Sequence, residues 1–373
     1  MSVQFYPLAV SKITKETDDA VSVSFDIPSD LKENFSYAPG QYLTLKFQLN
    51  GKEERRAYSM SSSPLENEIT VTVKKLANGK VSSHICNQLK AGDQVEVMPP
   101  QGRFVVKLDE GKSKTYYFFG AGSGITPLMS MAKTILEKEP LSTVFLFYGN
   151  RNEDSIIFKS QLDEMQQKYA NQFIVTHILS QPKVEKSGGF GGFFKKSKTS
   201  WEGVTGRIDK NNVTSFLDKN PARSKDVEYF ICGPGQMIDE VEKVLLDKNI
   251  DKKNIHAERF TAADSDSKNI AATSAATSIP VDGAKLIVHL DGETIEVVVK
   301  KGKSILDTLL DMKYEPPYSC CAGSCSTCMA KVVKGKVEME TCYALDEDEI
   351  ADGFILTCQA HPTTSEVEID FDA

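Results

Sequence analysis

Pro317-Tyr318-Ser319-Cys320-Cys321-Ala322-Gly323-Ser324-Cys325-Ser326-Thr327-Cys328 decides how the chain is read, and Leu356-Thr357-Cys358 completes it. Cys320, Cys325, Cys328 and Cys358 follow the spacing C-x4-C-x2-C with one distant cysteine. That spacing is a known thiolate pattern for a 2Fe–2S cluster. Each iron needs two thiolates in a tetrahedral set, so four sulfurs must converge on one small cluster. Gly323 and the small Ala322, Ser324, Ser326 and Thr327 let a short loop wrap it and aim backbone N–H groups at it. Those hydrogen bonds and the loop's exposure set the potential. A structural zinc site ordinarily shows two C-x2-C pairs, and only one is present.

The other cysteines, Cys86, Cys232, Cys321 and Cys342, show no disulfide framework, and a cluster loop implies a reducing compartment. Cys321 and Cys342 fall outside the ligand spacing and read as bystanders. With 373 residues the chain has room for two or three domains. A composition of 40% hydrophobic and 26% charged residues is ordinary for a soluble protein. Met1–Pro7 lacks a basic segment followed by an apolar one, so no secretory signal is expected. No apolar run approaches the ~20 residues of a membrane span. A cytoplasmic protein is expected. The net charge of −8 argues against a nucleic-acid partner. Residues 281–373 hold 18 Asp+Glu against 8 Lys+Arg, a net −10, so the first 280 residues stand near +2. An acidic module around a redox centre suits docking to a basic partner, although a solvated acidic surface would look the same.

Residues 1–110 alternate in short strands: Leu8–Lys12, Ala20–Asp26, Gln41–Phe47, Glu54–Ser59, Glu68–Lys75 and Asp93–Met98. Pro39-Gly40, Asn50-Gly51, Asn78-Gly79 and Ala91-Gly92 punctuate them, the pattern of a small antiparallel β-barrel. Arg56-Ala57-Tyr58-Ser59 puts an Arg and a Tyr on one strand face, fit for a phosphate and a flat heterocycle. Gly79-Lys80-Val81-Ser82-Ser83 feeds a helix expected over His84–Leu89, and a Gly–Ser turn at a helix N-terminus is an anion site.

Residues 111–260 alternate strand and helix, which predicts an α/β doubly wound parallel sheet. Strands are expected at Thr115–Phe119, Thr143–Tyr148, Phe173–Leu179 and Glu228–Ile231. Helices are expected up to Glu137 and over Asp154–Tyr169, Asn211–Leu217 and Met237–Lys248. Gly120-Ala121-Gly122-Ser123-Gly124-Ile125-Thr126-Pro127 lies between a strand and a helix, the context that phosphate binding requires. It is not G-x-G-x-x-G, because Ile125 takes the third glycine's place. Arg151 ends the second strand with Ser180 on the next, and could pair with a 2′-phosphate; NADPH is favoured and NADH is the alternative. Lys183–Trp201, rich in Gly and Lys, reads as a surface loop or a basic, aromatic-tipped contact. Residues 261–280, rich in Ala, Ser, Thr and Asp, read as a flexible linker.

From 281 on, strands at Lys285–Leu290 and Thr294–Lys300 flank Asp291-Gly292, a type I′ hairpin signal. A helix at Ser304–Met312 precedes the cluster loop. Strands at Met329–Val333, Ile355–Cys358 and Val367–Phe371 follow. This order fits an α+β β-grasp ferredoxin.

R-x-Y-S, the Gly–Ser turn, Pro99-Pro100-Gln101-Gly102-Arg103-Phe104, the G-x-G-S-G-I-T-P loop and Cys232-Gly233-Pro234 together resemble the ferredoxin–NADP reductase superfamily. The resemblance implies three modules: an FAD-binding barrel at 1–110, an NAD(P)-binding domain at 111–260 and, after the linker, a plant-type 2Fe–2S ferredoxin at 281–373. FAD is expected before FMN. The resemblance implies that Arg56 binds the flavin pyrophosphate, Tyr58 packs on the isoalloxazine and Ser59 bonds near its reactive nitrogen. Gly79, Val81 and Ser82 would cradle phosphate, with Ala57, Val73 and Lys74 as further flavin contacts. Gly120, Gly122, Ser123, Gly124, Thr126 and Pro127 would meet the dinucleotide. Thr126 and Cys232, Gly233 and Pro234 would lie near the nicotinamide, and Phe260 would cover the flavin.

Flavin, nicotinamide and ferredoxin modules in this order resemble the reductase components of bacterial oxygenases. Within that group the likeness narrows to the reductase subunits of phenylacetyl-CoA epoxidase, a di-iron enzyme, on Met98–Phe104, Leu146–Arg151, Gly206–Asp209, His256–Phe260 and Asp370–Ala373. The expected activity passes electrons from NAD(P)H to FAD, to the 2Fe–2S cluster and to an oxygenase. The alternatives are a reductase for another hydroxylase (ring, steroid or lipid) and a non-enzymatic redox or metal-binding module.

Overall fold

Because Asn50 and Gly51 both take positive φ, at 54° and 74°, β3 (Tyr42–Leu49) turns straight back into β4 (Lys52–Ser59). That hairpin is one edge of the first sheet in the computed structural model, which describes residues 4–185, 198–260 and 281–373. The predicted linker at 261–280 and most of the Gly/Lys segment lie outside the described residues. The other strands are β1 (Tyr6–Thr17), β2 (Ala20–Asp26), β5 (Ile69–Lys74) and β6 (Gln94–Gln101), in the order β4-β3-β6-β1-β2-β5. Met60, just past β4, bridges to Val71 on β5 and joins the two ends, so the sheet curls into a barrel. Val23, Phe25, Leu43, Leu45, Val71 and Val97 fill it. α1 (Lys80–Asn87) plugs one side with Val81 and Ile85, and starts four residues earlier than predicted.

The second sheet is wholly parallel. β7 (Lys114–Ala121), β8 (Thr143–Asn150), β9 (Phe173–Leu179), β12 (Val204–Thr205), β13 (Asp226–Gly233) and β14 (Ile255–Arg259) take the order β12-β9-β8-β7-β13-β14. A two-residue antiparallel pair, β10 (Val184–Glu185) with β11 (Lys198–Thr199), joins the described ends of the Gly/Lys segment. Trp201 packs onto the apolar core and bonds the Val204 carbonyl, so it does not tip that segment. α2 (Ile125–Lys138), α3 (Lys159–Lys168), α4 (Lys210–Lys219) and α5 (Gly235–Asp247) cover the faces. The helix predicted over Asp154–Tyr169 is shorter. Asn152 caps a single turn at Glu153–Ser155, and Ile156, Ile157 and Phe158 then turn into the core. Phe158 sits in the left-handed region at φ 62°, which breaks the helix before α3.

The third unit is a mixed sheet of β15 (Ala284–Leu290), β16 (Glu293–Val299), β17 (Met329–Lys334), β19 (Phe354–Leu356) and β21 (Glu366–Asp370), in the order β16-β15-β21-β17-β19, with α6 (Ile305–Asp311) packed against it. β15 and β21 run parallel, and the other pairs run antiparallel. The short pair β18 (Val337–Met339) with β20 (Ala360–Pro362) and α7 (Glu347–Ala351) complete it. This is the predicted β-grasp arrangement. Among the described residues no helix is long and apolar enough to cross a membrane.

The barrel and the parallel sheet share one core. Ala20, Phe104 and Val106 pack with Tyr116, Leu128, Met131 and Phe230. Beside it the fully buried Glu139 accepts from the Asp109 amide at 2.7 Å, the Tyr116 hydroxyl at 2.9 Å and the Ser142 hydroxyl at 2.7 Å. Glu139 thus ties the chain leaving the barrel to the end of α2. Removing it strands three donors, two of them on buried residues. A Glu139→Ala variant should lose roughly 2–4 kcal/mol in urea denaturation; an unchanged midpoint would mean that these donors find other partners.

Candidate active site

The parallel sheet reverses its order between β7 and β13, and their carboxyl ends form the crevice where α/β sheets bind nucleotides. Gly120–Gly124 leaves β7 there, and Cys232–Pro234 leaves β13. The two turns touch. A Cβ on Gly124 would stand 2.1 Å from the Cys232 carbonyl oxygen, so only glycine permits this approach. Gly122 takes φ 55°, and its carbonyl accepts from the buried Tyr148 hydroxyl at 2.9 Å. Thr126 is buried at the start of α2, with its hydroxyl on the Ser123 carbonyl at 3.0 Å, and Pro127 follows it inside the helix. Cys232 is fully buried, and burial together with the Glu258 carboxyl pushes its thiol well up, which removes it as a nucleophile. The Phe260 amide bonds the Gly233 carbonyl at 3.2 Å, so the aromatic just after β14 stands beside this turn. Arg151 and Ser180 meet at the ends of β8 and β9, where the Ser180 and Gln181 amides bond the Asn150 and Arg151 carbonyls. The Arg151 side chain is exposed. Both amide atoms of the buried Asn150 lack partners in the same corner.

The barrel supplies the facing wall. Arg56 and Tyr58 share one face of β4 while Arg55 and Ser59 share the other, as alternation requires. The Arg56 guanidinium lies 3.0 Å from Glu54, and the same carboxylate receives Lys80 at 3.0 Å. Lys80 opens α1, whose Gly79 cap makes no side-chain bond, so the first amides of the helix stay free of a side-chain cap. Two cations thus converge on the Glu54 carboxylate beside the start of α1, and a donor set of this kind suits a phosphate. Ser82 turns its hydroxyl back to the Leu76 amide at 3.1 Å and leaves its main chain to the site, while Val81 is core. Tyr58 is partly buried against the barrel core, and burial pushes its phenol up. Ala57 stands between Arg56 and Tyr58, half-buried. Val73 is wholly inside the barrel and offers only its backbone, whereas Lys74 reaches Asp19 at 3.6 Å beside Gly122.

One further residue belongs to this crevice. Glu258 of β14 buries an unpartnered carboxyl oxygen next to Ser59 and Cys232. Burial raises it to about 8, partly offset by a hydrogen bond from Ser59. In the sequence it is a lone acid two residues before Phe260, and β14, a strand the sequence does not predict, is what carries it into the crevice.

In the third unit the four predicted thiols meet as two pairs, Cys320 with Cys325 and Cys328 with Cys358. Two sulfurs per side is the donor set of a dinuclear cluster. Hydrogen bonds from Cys325, Ser324 and the Ala322 amide hold Cys320 down to about 5, and Cys328 and the Gly323 amide hold Cys358 down, while the donating Cys325 and Cys328 are pushed well up. Each pair thus shares a proton between two touching sulfurs. Gly323, at φ 69°, would place a Cβ 2.8 Å from the Thr341 carbonyl oxygen. Cys321 is exposed and Cys342 packs with Leu345, both outside the two pairs.

The oxidoreductase FAD-binding domain family matches residues 7–106, the oxidoreductase NAD-binding domain family 118–243 and the 2Fe-2S iron-sulfur cluster binding domain family 288–363. The chain is 37% identical to one of the subunits of the 1,2-phenylacetyl-CoA epoxidase of Escherichia coli, over 99% of this chain and 98% of that one. It is 34% identical to the ferredoxin reductase component of 3-ketosteroid-9-alpha-monooxygenase of Rhodococcus rhodochrous, over 98% and 96%. The phthalate dioxygenase reductase structure aligns over 98% of both chains at a TM-score of 0.57 and 22% identity, and so shares the fold.

Glu258 holds its proton in the fold up to about 8 but ionises near 4.5 once the chain unfolds. Folding therefore retains a proton across that window, and stability falls as pH rises through it. A Glu258→Gln variant should gain on the parent as pH rises, by roughly 2–4 °C per kcal/mol in calorimetry. A gap that stays constant with pH would show the carboxyl already ionised.

Proposed function

The chain belongs to the flavin- and 2Fe–2S-containing reductase components of oxygenases, and from that premise we propose that it carries electrons from NADPH to a phenylacetyl-CoA epoxidase-type di-iron enzyme. Overall, NAD(P)H yields NAD(P)⁺, one proton and two electrons, which leave singly for the oxygenase. A bound flavin supplies the exchange between hydride and single electrons, and the cluster carries one electron at a time. One observation carries the reading. The cluster loop is seated on β3, where Tyr42 pairs across the ladder with Ser59, so nicotinamide turn, flavin wall and thiols adjoin.

The residues divide the work. The Gly120–Gly124 main chain meets the dinucleotide, Pro127 and Thr126 fix the start of α2, and Gly233 and Pro234 shape the nicotinamide turn. Buried Cys232 keeps water from that turn. Arg56 and Lys80 would hold the flavin pyrophosphate beside the start of α1, and Tyr58 would offer a flat face. The Ser59 hydroxyl donates to the buried Glu258 carboxyl, which keeps a proton in the crevice. Phe260 closes the flavin's exposed side. Cys320, Cys325, Cys328 and Cys358 hold the cluster. A cytoplasmic location suits these thiols. Transfer to a steroid hydroxylase is the second reading, supported by the ketosteroid monooxygenase relative.

Anaerobic titration with NADPH or NADH should bleach flavin bands and raise the EPR signal of a reduced 2Fe–2S centre. Mixing the reduced protein with phenylacetyl-CoA epoxidase or with ketosteroid hydroxylase then separates the two acceptors. Protein without flavin and two irons would overturn the reading. Arg151→Ala should raise KM for NADPH about tenfold, the worth of one charge-assisted contact, and leave NADH unchanged; equal effects on both would remove the 2′-phosphate assignment.

A further inference from the structure

β3 does more than line the barrel. Tyr42 is 4% exposed, and its hydroxyl lies 2.7 Å from that of Thr327, one residue before Cys328. Two residues on, the buried Thr44 donates to the Ser319 hydroxyl at 2.9 Å, one residue before Cys320. Each end of the ligand loop is thus fastened to the same strand by a buried hydroxyl pair. The Tyr42 ring lies against Gly102, where a Cβ would stand 2.9 Å from two ring carbons. In the ladder Tyr42 faces Ser59. It spans from the flavin wall to the cluster loop by direct contact.

We infer that Tyr42, through its bond to Thr327, is the positioning residue that sets the approach of the cluster to the flavin, and so the rate of the single-electron step between them. The step moves one electron from the reduced flavin to the oxidised cluster, and no bond is made or broken. The inference rests on the flavin and cluster assignments above. Buried hydroxyl pairs suit the task because they fix an approach by direction as well as distance. They also leave no stranded donor on either module when water replaces the partner.

Anaerobic stopped-flow of the full-length protein separates the two steps. Bleaching of the flavin by NADPH tests the cofactor assignment, and the later rise of reduced cluster tests Tyr42. Tyr42→Phe keeps the ring and removes only the hydroxyl; Thr327→Val removes the partner from the other module. Each should leave flavin reduction unchanged and slow cluster reduction roughly five- to tenfold, the worth of one buried hydrogen bond. The double variant should be no slower than either single one. Hydrogen exchange of the 319–328 amides should quicken in all three, while the cluster's midpoint potential by EPR titration stays put in Tyr42→Phe; in Thr327→Val it shifts, because that hydroxyl also bonds Cys325. Parental cluster reduction and exchange in Tyr42→Phe, or a potential shift there large enough to explain the slower phase, would overturn the inference. If Tyr42→Phe does not fold with both cofactors, the exchange rate of the 319–328 amides in Thr327→Val carries the test, because that readout does not depend on the potential; parental exchange there would overturn the inference.

Discussion

The continuous core between barrel and parallel sheet is the constraint on which the rest depends. Phe104 stacks edge-on against Phe230 at 5.6 Å, and the Ser63 and Thr134 hydroxyls meet at 2.9 Å across the same boundary. A core close-packed to crystal-like density resists shear, so β4 and the turn after β13 stand opposite each other at a fixed separation. Two ligands that exchange a hydride need their reacting atoms held within about 3–3.5 Å. A boundary that slid would forfeit that geometry. The glycines at 124 and 233 serve the same end, since they let two turns from different strands meet backbone to backbone.

The third module is attached on different terms. Its contacts with the other two are polar or charged: two hydroxyl pairs, the buried Arg55 guanidinium stacked on the Tyr318 ring at 4.0 Å, Arg103 with Glu349, and Lys252 with Glu347 at 2.9 Å. Arg259, itself held by Asp239, lies over Tyr343. The acidic run at 346–349 therefore meets cations of both partner modules within the chain. Charge that the sequence suggested for an outside partner is in part spent at home. Exposed pairs of this kind contribute roughly 0–1 kcal/mol each and weaken with salt.

Much of this was legible in the residues. The cysteine spacing singled out the four thiols that meet as two pairs, because iron fixes the number and convergence of its thiolates. Alternation set the faces of β4, and Asn50-Gly51 and Asp291-Gly292 both adopt the positive φ their turns demand. What stayed hidden depended on partners distant in the sequence. Ile156-Ile157-Phe158 fits a helix by composition, yet the core claims all three side chains and ends it. Glu258 looked like any surface acid until β14 carried it under Ser59. Tyr42 reads as one more barrel tyrosine, because its partner lies 285 positions away.

A seam made of directional bonds, with no apolar core shared among the described residues, has an evolutionary corollary. The ferredoxin has an interior of its own, built on Leu286, Val288, Ile305 and Val367. Grafting it onto another reductase, or onto the opposite end of one, would require matching a few polar and charged side chains instead of redesigning two interiors. Gene fusion and recombination can thus shuffle such electron carriers among donors at little structural risk.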